Sequence, residues 1–575
     1  MSASSPLSFS QSSAGVARVG KCSICYKAGL KLTSAGFVVN HGPRGAQCQG
    51  VGKPPAPAFN FGASSVVPPT VAGSALHLSS ATQPSAAQSN LFTSSQPSSC
   101  PPSIGQHSAA DDSVAVECLS SLFGAHIPTI KWIPRSARQQ CATLLTKLLL
   151  AVAHNPHSIP AWMGLLSFGK RILHKPQRGS AHRNLFNIAI RRCKDFSSTS
   201  LIQAVASLGT SGAPASRSDK RKLKENKANE KGHLQLANAV SAKLEEGNYK
   251  GAVRLVCSDE VHAPQSVTTL QALRLKHPNA PSDRRSVDPP EATTSSVTFD
   301  DPAVRAALLS FPPGSTAGPD GLTPQHLRDM VAIERGSNGL LSAISVFLGI
   351  VVGGSVPAGI RPLFFGGRLL ALLKKDGGLR PIAVGLTLRR LAAKIVNKTA
   401  TESLIPILAP IQLGVGVRGG MEAAVHAARL YVQDMPSSNC VLAKLDFKNA
   451  FNTIRRDTML EAVQRTLPEA YGFVHAAYST PSTLFYGSDT ISSEEGVQQG
   501  DPLGPLLFCL ALHPILTECK AELRAGYLDD ITLGGDVNLI GDEVDMLKTR
   551  ALKIGLALNE NKCELIMTHP PTVSP

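Results

Sequence analysis

Apolar residues at helical spacing mark the first half of the chain. Between residues 114 and 207 they recur three and four positions apart, which predicts a mostly helical region. The clearest stripe is Leu144, Leu145, Leu148, Leu149 and Val152. Further on, His233 to Leu244 and Tyr249 to Val256 predict a pair of helices. The stretch from Ala263 to Pro290 contains several prolines and predicts a loop and a boundary.

Short apolar runs separated by loops replace this pattern after about residue 297. The run from Val441 to Leu445 predicts a buried strand that ends at Asp446 and is followed by a helix. The Gly/Pro loop Glu495 to Pro505 opens onto an apolar helix. A second acidic site follows a tyrosine and a leucine further on. Because Arg524 to Gly526, just before that site, is a poor apolar strand, we expect it to pair weakly in a hairpin.

Charge adds a class of partner to this picture. The 575 residues contain 57 Lys and Arg against 41 Asp and Glu, a formal charge of +16. A balance this basic favours a polyanion such as RNA or DNA, with a membrane surface as the alternative. No apolar run reaches the ~20 residues of a spanning helix, and the start lacks a secretory segment. We therefore expect an intracellular protein, cytoplasmic or nuclear, whose 12 cysteines are thiols or metal ligands.

The adjacent acids Asp529 and Asp530 follow Tyr527 and Leu528 at the end of the predicted strand. Neighbouring carboxylates repel each other, and a bound Mg²⁺ is a common counterion because it takes carboxylate oxygens and leaves positions for phosphates and water. A solvated acidic turn is the alternative for the pair alone. Asp446, which lies upstream at the end of another predicted strand, favours the metal.

Six segments in one order carry a family resemblance. The strand ending at Asp446, the Gln-Gly loop and the Tyr-Leu-Asp-Asp turn resemble the palm motifs of reverse transcriptases. Upstream, Ala317 to Leu322 and Leu373 to Ile382 resemble the fingers motifs of retroelement enzymes, and downstream Gly555 to Cys563 resembles the next palm motif. The resemblance covers roughly residues 300 to 570 and is to enzymes of non-LTR retrotransposons. It implies an α+β fold, the fingers and palm of a right-hand polymerase with an antiparallel palm sheet.

The resemblance also implies roles for individual residues. Asp446 and Asp529 would bind two Mg²⁺ ions, together with the main-chain carbonyl of Phe447, and Asp530 would be peripheral. Lys562 would protonate the leaving pyrophosphate, with a plain surface lysine as the alternative. The groups that would contact the incoming dNTP, the template and the primer are Lys374, Lys375, Arg380, Phe451, Gln499 and Gly500.

Two residues near the predicted site carry further expectations. Phe451 would exclude the 2′-hydroxyl of a ribonucleotide; its alternative is an ordinary core residue of the following helix. Arg389 lies near the same predicted hairpin as Lys374, so we expect it to be a mobile cation within reach of a triphosphate.

The N-terminal part of the chain predicts other modules. A Cys-Cys-His-Cys set can bind Zn²⁺ tetrahedrally and is Cys22, Cys25, His41 and Cys48. The basic residues around the helical region indicate either an RNA-binding module or a solvated basic face; they include Lys131, Lys170, Arg171, Arg191 and Arg192, with Trp132. The predicted domains are a zinc module (1–50), a disordered Pro/Ser/Ala-rich linker (51–112), a helical, RNA-binding region (113–215), a basic segment with a helix pair and linker (216–290), and fingers and palm (291–575).

These motifs predict an RNA-templated DNA polymerase of a retroelement that acts on an RNA template, a DNA primer or target DNA and dNTPs. The alternative is a truncated remnant that binds RNA without catalysis. Because the sequence ends soon after Lys562, we expect the thumb to be absent and processivity to be low.

The zinc module gives a direct test. Metal analysis of residues 1–50 is expected to find one equivalent of zinc, and Cys22→Ser should remove it because a tetrahedral site loses one of four ligands. Protein expressed in zinc-replete medium that contains no zinc would contradict the assignment.

Overall fold

The computed structural model describes residues 19–20, 30–31, 109–176, 185–196, 236–245, 247–257, 262–291, 297–332, 339–374, 376–435 and 439–567. The four cysteine and histidine residues of the zinc prediction, most of the predicted linker and Lys375 lie outside these ranges. The chain divides into two compact units, Met1–Pro102 and Ser103–Pro575. Of the first unit, an antiparallel pairing of Val19–Gly20 with Leu30–Lys31 is described.

Helices form most of the second unit. Their bounds are Ala109–Gly124, Arg138–His154, Ile159–Ile172, Leu185–Lys194, 236–245, Tyr249–Cys257, Val267–Lys276, Asp301–Leu309, Pro324–Val331, Leu340–Val352, Arg361–Phe364, Thr387–Leu408, Gly420–Gln433, Ala450–Thr453, Arg456–Thr466, Pro468–Tyr478, Gly504–Glu518 and Val537–Lys553. Within the described ranges, no helix combines the length and the apolar character needed to cross a membrane.

Two four-stranded sheets complete the second unit. The strands are β1 (Gly367–Leu373), β2 (Leu379–Gly385), β3 (Cys440–Leu445), β4 (Ser482–Tyr486), β5 (Asp489–Ser493), β6 (Leu523–Tyr527), β7 (Asp530–Asp536) and β8 (Glu564–Ile566). One sheet has the order β2-β1-β4-β5, in which β1 and β4 are parallel and the other pairs antiparallel. The other has the order β8-β3-β7-β6 and is antiparallel throughout. The mixture of helices and antiparallel strands agrees with the α+β expectation.

The helices before residue 200 share one hydrophobic core with the rest of the unit. Trp162, which is fully buried, packs against the rings of Phe347 and Phe364 at centroid distances of 5.5 and 5.3 Å. The predicted stripe contributes Leu145, Leu149 and Val152 to the same core. From the sequence we predicted that these helices form a region separate from the polymerase-like segment. Because their apolar faces are buried against that segment, they are part of its core.

Lys170 corrects a second expectation, since it does not belong to a basic face. Its ammonium group is buried and donates hydrogen bonds to the carbonyls of Leu122, Phe123 and Ala125 at 2.7, 3.0 and 2.8 Å, at the C-terminus of the Ala109–Gly124 helix. A cation is favoured there because the last helical carbonyls have no partners of their own. Burial lowers the pKa of Lys170 to about 8, although the nearby Asp320 carboxylate partly offsets this. The neighbouring Arg171 is buried as well.

The proline-containing stretch before residue 291 is also different from the prediction of a boundary loop. It includes the helix Val267–Lys276, whose Leu270 and Leu273 form a second, smaller core with strands β1, β2, β4 and β5. Beyond this helix, Asp283 and Arg285 pair with Arg455 and Asp457. The stretch therefore lies against one sheet and against the start of the Arg456–Thr466 helix, and it belongs to the same unit as both.

Strand β6 corrects the expectation of weak pairing. It is paired with β7 along its whole length, from Leu523 opposite Gly534 to Tyr527 opposite Asp530. Its small residues fit this position because a side chain at Gly526 would approach Leu516 and Gln412 at 3.1 and 3.0 Å. The strand has few apolar residues because a neighbouring segment packs closely against it. The local sequence pattern contains no signal of that segment.

The burial of Lys170 gives a prediction for stability. Lys170→Met is expected to lower the free energy of unfolding by about 3–5 kcal/mol, because it leaves three carbonyls and the Asp320 carboxylate without the cation. Urea denaturation followed by circular dichroism measures this loss. Lys147→Met, at an exposed position of the Arg138–His154 helix, is the matched control and should change stability little. Equal stability of the two variants would contradict a structural role for Lys170.

Candidate active site

A cavity of about 750 Å³ lies where the fingers hairpin β1–β2, the loop after β5 and the ends of strands β3 and β6 meet. Residues predicted from separate sequence motifs line it together. They are Asp446, Phe447, Phe451, Gln499, Gly500, Asp529, Lys374, Arg380 and Lys562. Asp530 is not among the lining residues. The structure thus groups nine of the predicted positions around one space.

The two principal acids reach the cavity from different strands. Asp446 directly follows β3, and Asp529 lies in the turn between β6 and β7. Strands β3 and β7 are adjacent, and their pairing runs from Cys440 opposite Asp536 to Leu445 opposite Ile531. Because the register ends there, the acids that follow Leu445 and precede Ile531 lie at the same edge of the sheet.

The electrostatics of these acids indicate a place for a cation. Burial raises the pKa of Asp529, and the negative charges of Asp530 and Asp446 raise it further, although Lys374 acts in the opposite direction. Burial and the charge of Asp446 likewise raise the pKa of Asp530. The carboxylates therefore repel one another, and the nearby lysines offset this repulsion only in part.

The oxygen donors at the cavity fit a hard divalent cation. Across the described ranges, no three His, Cys, Asp or Glu side chains are already grouped as ligands of one ion. Asp446, Phe447 and Asp529 instead line the cavity together. Mg²⁺ is commonly bound through one or two carboxylates, with water and substrate phosphates in its other positions. Asp446 and Asp529 carry carboxylates of this kind.

Asn559 orients Asp446. Its side-chain amide donates to Asp446 Oδ2 at 2.9 Å, and its main-chain N–H donates to the Asp446 carbonyl at 2.8 Å. Asn559 also lines the cavity. Sequence reasoning missed this residue although it lies within Gly555 to Cys563, one of the six family-like segments. Its position opposite Asp446 depends on a contact between parts of the chain 113 residues apart.

Phe451 is fixed by an aromatic partner. Its ring stacks on that of Phe508 with centroids 4.7 Å apart and an angle of 14° between the planes. Phe508 is fully buried in the Gly504–Glu518 helix, whereas Phe451 is half-buried and lines the cavity. The ring of Phe451 thus contacts the core through Phe508 and also forms part of the cavity wall, so it has features of both interpretations.

The loop after β5 is anchored by its first glutamine and its aspartate. Gln498 is buried and donates to Ser482 Oγ at 2.8 Å and to the Phe365 carbonyl at 3.0 Å. Asp501 Oδ2 accepts hydrogen bonds from Tyr478 at 2.7 Å and from Arg389 at 2.9 Å. These anchors leave the two residues between them at the cavity.

Arg389 is therefore not the mobile cation that its sequence position predicts. It is 2% exposed, and it donates to Asp501 and, at 2.7 Å, to Gln498 Oε1. A guanidinium group buried with a carboxylate has both its charge and its donors satisfied, so it does not reach a nucleotide. The local pattern of basic residues could not reveal this because Asp501 is 112 positions away.

Gln499 and Gly500 form the exposed part of the loop. The carbonyl of Gln499 accepts a hydrogen bond from the N–H of Ala383, in β2, at 2.7 Å. Gly500 has φ +120° and passes so close to the Ala383 carbonyl that a side chain would clash with it. Only glycine fits both constraints. The sequence predicts a contact of Gly500 with template or primer, and in the protein itself the backbone of Gly500 lies close to strand β2.

Basic side chains surround the outer part of the cavity. Lys374 and Arg380 come from the β1–β2 hairpin. Lys562, from the other sheet's side, donates to Asp376 at 3.0 Å, and this ion pair raises the pKa of Lys562 and lowers that of Asp376. Both side chains are about half exposed.

Lys276 is a further cation that sequence reasoning missed. It ends the Val267–Lys276 helix and lines the cavity. Its carbonyl accepts hydrogen bonds from Asn449 and Asn452 at 2.9 and 3.0 Å. Burial lowers the pKa of Lys276, and the charges of Lys374 and Lys562 lower it further. The proline-containing stretch predicted to be a boundary thus supplies a charged group to the site.

Comparison with known proteins finds a family model that matches this region. Residues 372–573 match the family model "Reverse transcriptase (RNA-dependent DNA polymerase)". The chain is 28% identical over 302 residues to the retrovirus-related Pol polyprotein from type-2 retrotransposable element R2DM of Drosophila melanogaster, a match that covers 48% of this chain and 26% of the relative. It is 30% identical over 210 residues to the retrotransposable element SLACS 132 kDa protein of Trypanosoma brucei gambiense, covering 34% of this chain and 17% of the relative.

Similar coverage is found for a third relative and for a solved structure. The Pol polyprotein from the type-1 element R2 of Bradysia coprophila is 27% identical over 280 residues, which is 44% of this chain and 30% of the relative. The chain thus spans less than a third of each of these relatives. The apo telomerase of Candida tropicalis truncated from its C-terminal domain matches at 14% identity with a TM-score of 0.29, covering 37% of this chain and 52% of that one.

Proposed function

We propose that this chain, whose residues 372–573 form a reverse transcriptase domain of the non-LTR retrotransposon type, is an RNA-templated DNA polymerase of a retroelement. It would add nucleotides from dNTPs to a primer 3′-hydroxyl. The observation that carries the proposal is the position of Asp446 and Asp529, which come from separate strands and line one cavity. Burial raises the pKa of Asp529, and the charges of Asp530 and Asp446 raise it further, which supports a cation at this site.

Held at such a site, Mg²⁺ would supply activation of the 3′-hydroxyl and stabilisation of the charge on the pyrophosphate. Asp446 and Asp529 would bind it, with the Phe447 carbonyl as a further donor and Asp530 outside the inner set. Asn559 would keep the Asp446 carboxylate oriented during turnover, because it bonds both its side chain and its main chain. Zinc at Cys22, Cys25, His41 and Cys48 remains a separate prediction.

The cations around the cavity would bind the triphosphate. Lys374, Arg380, Lys276 and Lys562 all line the cavity, so a chain of phosphates there would meet several positive charges. Burial lowers the pKa of Lys276, and the charges of Lys374 and Lys562 lower it further, so an anion among these cations is favourable. Lys562 would also protonate the leaving pyrophosphate once it is released from Asp376.

The partners proposed for the whole chain are an RNA template, a DNA primer or target DNA and dNTPs. The charge of +16 supports a polyanionic partner. A remnant that binds RNA without catalysis is the second candidate, and it accounts for the same charge. The first prediction below separates the two.

Asp529→Asn is expected to reduce primer extension on an RNA template by about 10²–10³-fold or more, because an amide cannot supply the charge that a carboxylate gives to the metal. Asp542→Asn, at an exposed position of the Val537–Lys553 helix, is the matched control and should extend primers at the parental rate. A parent that binds the template but extends nothing would favour the remnant. Equal extension by parent and Asp529→Asn would remove Asp529 from the mechanism.

Phe451→Ala is expected to lower discrimination against ribonucleotides by about 10–100-fold, because a cavity wall that excludes the 2′-hydroxyl is removed. The measurement is kcat/KM for a dNTP and for the matching NTP in single additions. Phe508→Leu removes the stacking partner but leaves the wall, so it should lower discrimination by less. Unchanged sugar selectivity in a Phe451→Ala enzyme that still extends primers would mean that Phe451 is an ordinary core residue.

A further inference from the structure

The turn that carries Asp529 has an unusual backbone conformation. Leu528, which precedes Asp529, has φ +59°. Asn449 is the one other non-glycine residue with positive φ among the described residues, and asparagine tolerates that region better than leucine does. A leucine retains such a conformation only where neighbouring groups stabilise it. Leu528 therefore requires stabilising partners in this turn.

Gln412 supplies them from a distant part of the chain. Its Oε1 accepts the N–H of Leu528 at 2.8 Å, and its Nε2 donates to the Leu528 carbonyl at 3.2 Å. The same Oε1 accepts the N–H of Gly414 at 3.1 Å. Gln412 has no exposed surface, and both ends of its amide have partners. One side chain therefore bonds both polar groups of the strained residue.

The backbone around Gln412 fixes this contact. The N–H of Leu413 donates to the Gly526 carbonyl, and the N–H of Gly526 donates to the Ile411 carbonyl, each at 2.7 Å. A side chain at Gly414 would come within 2.6 Å of the Leu528 nitrogen. The segment from Ile411 to Gly414 thus lies directly against the hairpin. Gln412 cannot move away without breaking a backbone pairing as well.

We propose that Gln412 is a positioning residue that keeps the Leu528–Asp529 turn in the conformation in which Asp529 is directed toward Asp446. The inference rests on the proposed function for its catalytic consequence. Without the two hydrogen bonds, Leu528 relaxes to negative φ, and the direction of the next side chain changes with it. Glutamine suits the position because it is long enough and offers a donor and an acceptor, whereas glutamate offers acceptors alone.

Single-addition kinetics of the full chain test the catalytic consequence. Gln412→Ala is expected to lower kcat and to raise the Mg²⁺ concentration for half-maximal rate, each by about 10–100-fold as for other groups that orient metal ligands. The KM for dNTP should change by less, because the cations that surround the triphosphate are not touched. Gln464→Ala, at an exposed position of the Arg456–Thr466 helix, is the matched control and should behave as the parent. Unchanged Mg²⁺ dependence in Gln412→Ala overturns the proposal.

A second substitution separates positioning from a loss of folding. Glycine adopts φ near +60° without strain, so Leu528→Gly added to Gln412→Ala should recover part of kcat and of the Mg²⁺ affinity. General destabilisation predicts the opposite, because Leu528→Gly also removes a side chain packed against the core. Failure of Leu528→Gly to recover either quantity overturns the proposal. If Gln412→Ala does not fold, Gln412→Glu takes its place, since it keeps the size and loses the donor.

Hydrogen exchange of the metal-free protein gives an answer that does not depend on activity. The Leu528 N–H should exchange faster in Gln412→Ala than in the parent, and Gln464→Ala should leave it unchanged. If the parent itself extends no primer, the proposed function fails and this comparison alone decides the inference about the turn. Equal exchange at Leu528 in all three proteins overturns it.

Discussion

Repulsion between carboxylates is the constraint on which the site depends. Burial raises the pKa of Asp529 and of Asp530, and the charges of neighbouring carboxylates, among them Asp446, raise both further. The protein stabilises this arrangement with neutral amides. Asn559 bonds Asp446, and Gln412 bonds the residue before Asp529. Because an amide orients a carboxylate without neutralising it, the negative charge stays available for a cation.

Two cations are buried with protein partners and take no part in the proposed chemistry. Arg389 pairs with Asp501 beneath the loop, and Lys170 satisfies a helix C-terminus. Both are buried, and both join parts of the chain that are far apart in sequence. Other cations, Lys276, Lys374 and Arg380, line the cavity itself.

Local sequence was sufficient for some of this arrangement and not for the rest. Asp446, Asp529, Phe451 and Gly500 could be predicted to share a site because each lies in a short segment whose residue types and spacing are characteristic, and all four line one cavity. The roles of Arg389 and Lys170 could not, because burial is decided by partners more than 40 residues away for Lys170 and 112 for Arg389. Strand β6 was underestimated for the same reason, since Gly526 is required by a segment that begins near Ile411.

The ion pair between Lys562 and Asp376 has a consequence for the cavity's rim. It joins the tip of the β1–β2 hairpin to the 3₁₀ turn before β8, and both of its side chains are about half exposed to water. Exposed pairs are weakened by dissolved salt, whereas the buried pair of Arg389 and Asp501 is shielded from it. Dissolved salt thus weakens the link between the hairpin tip and the 3₁₀ turn, while the pair beneath the loop keeps its strength.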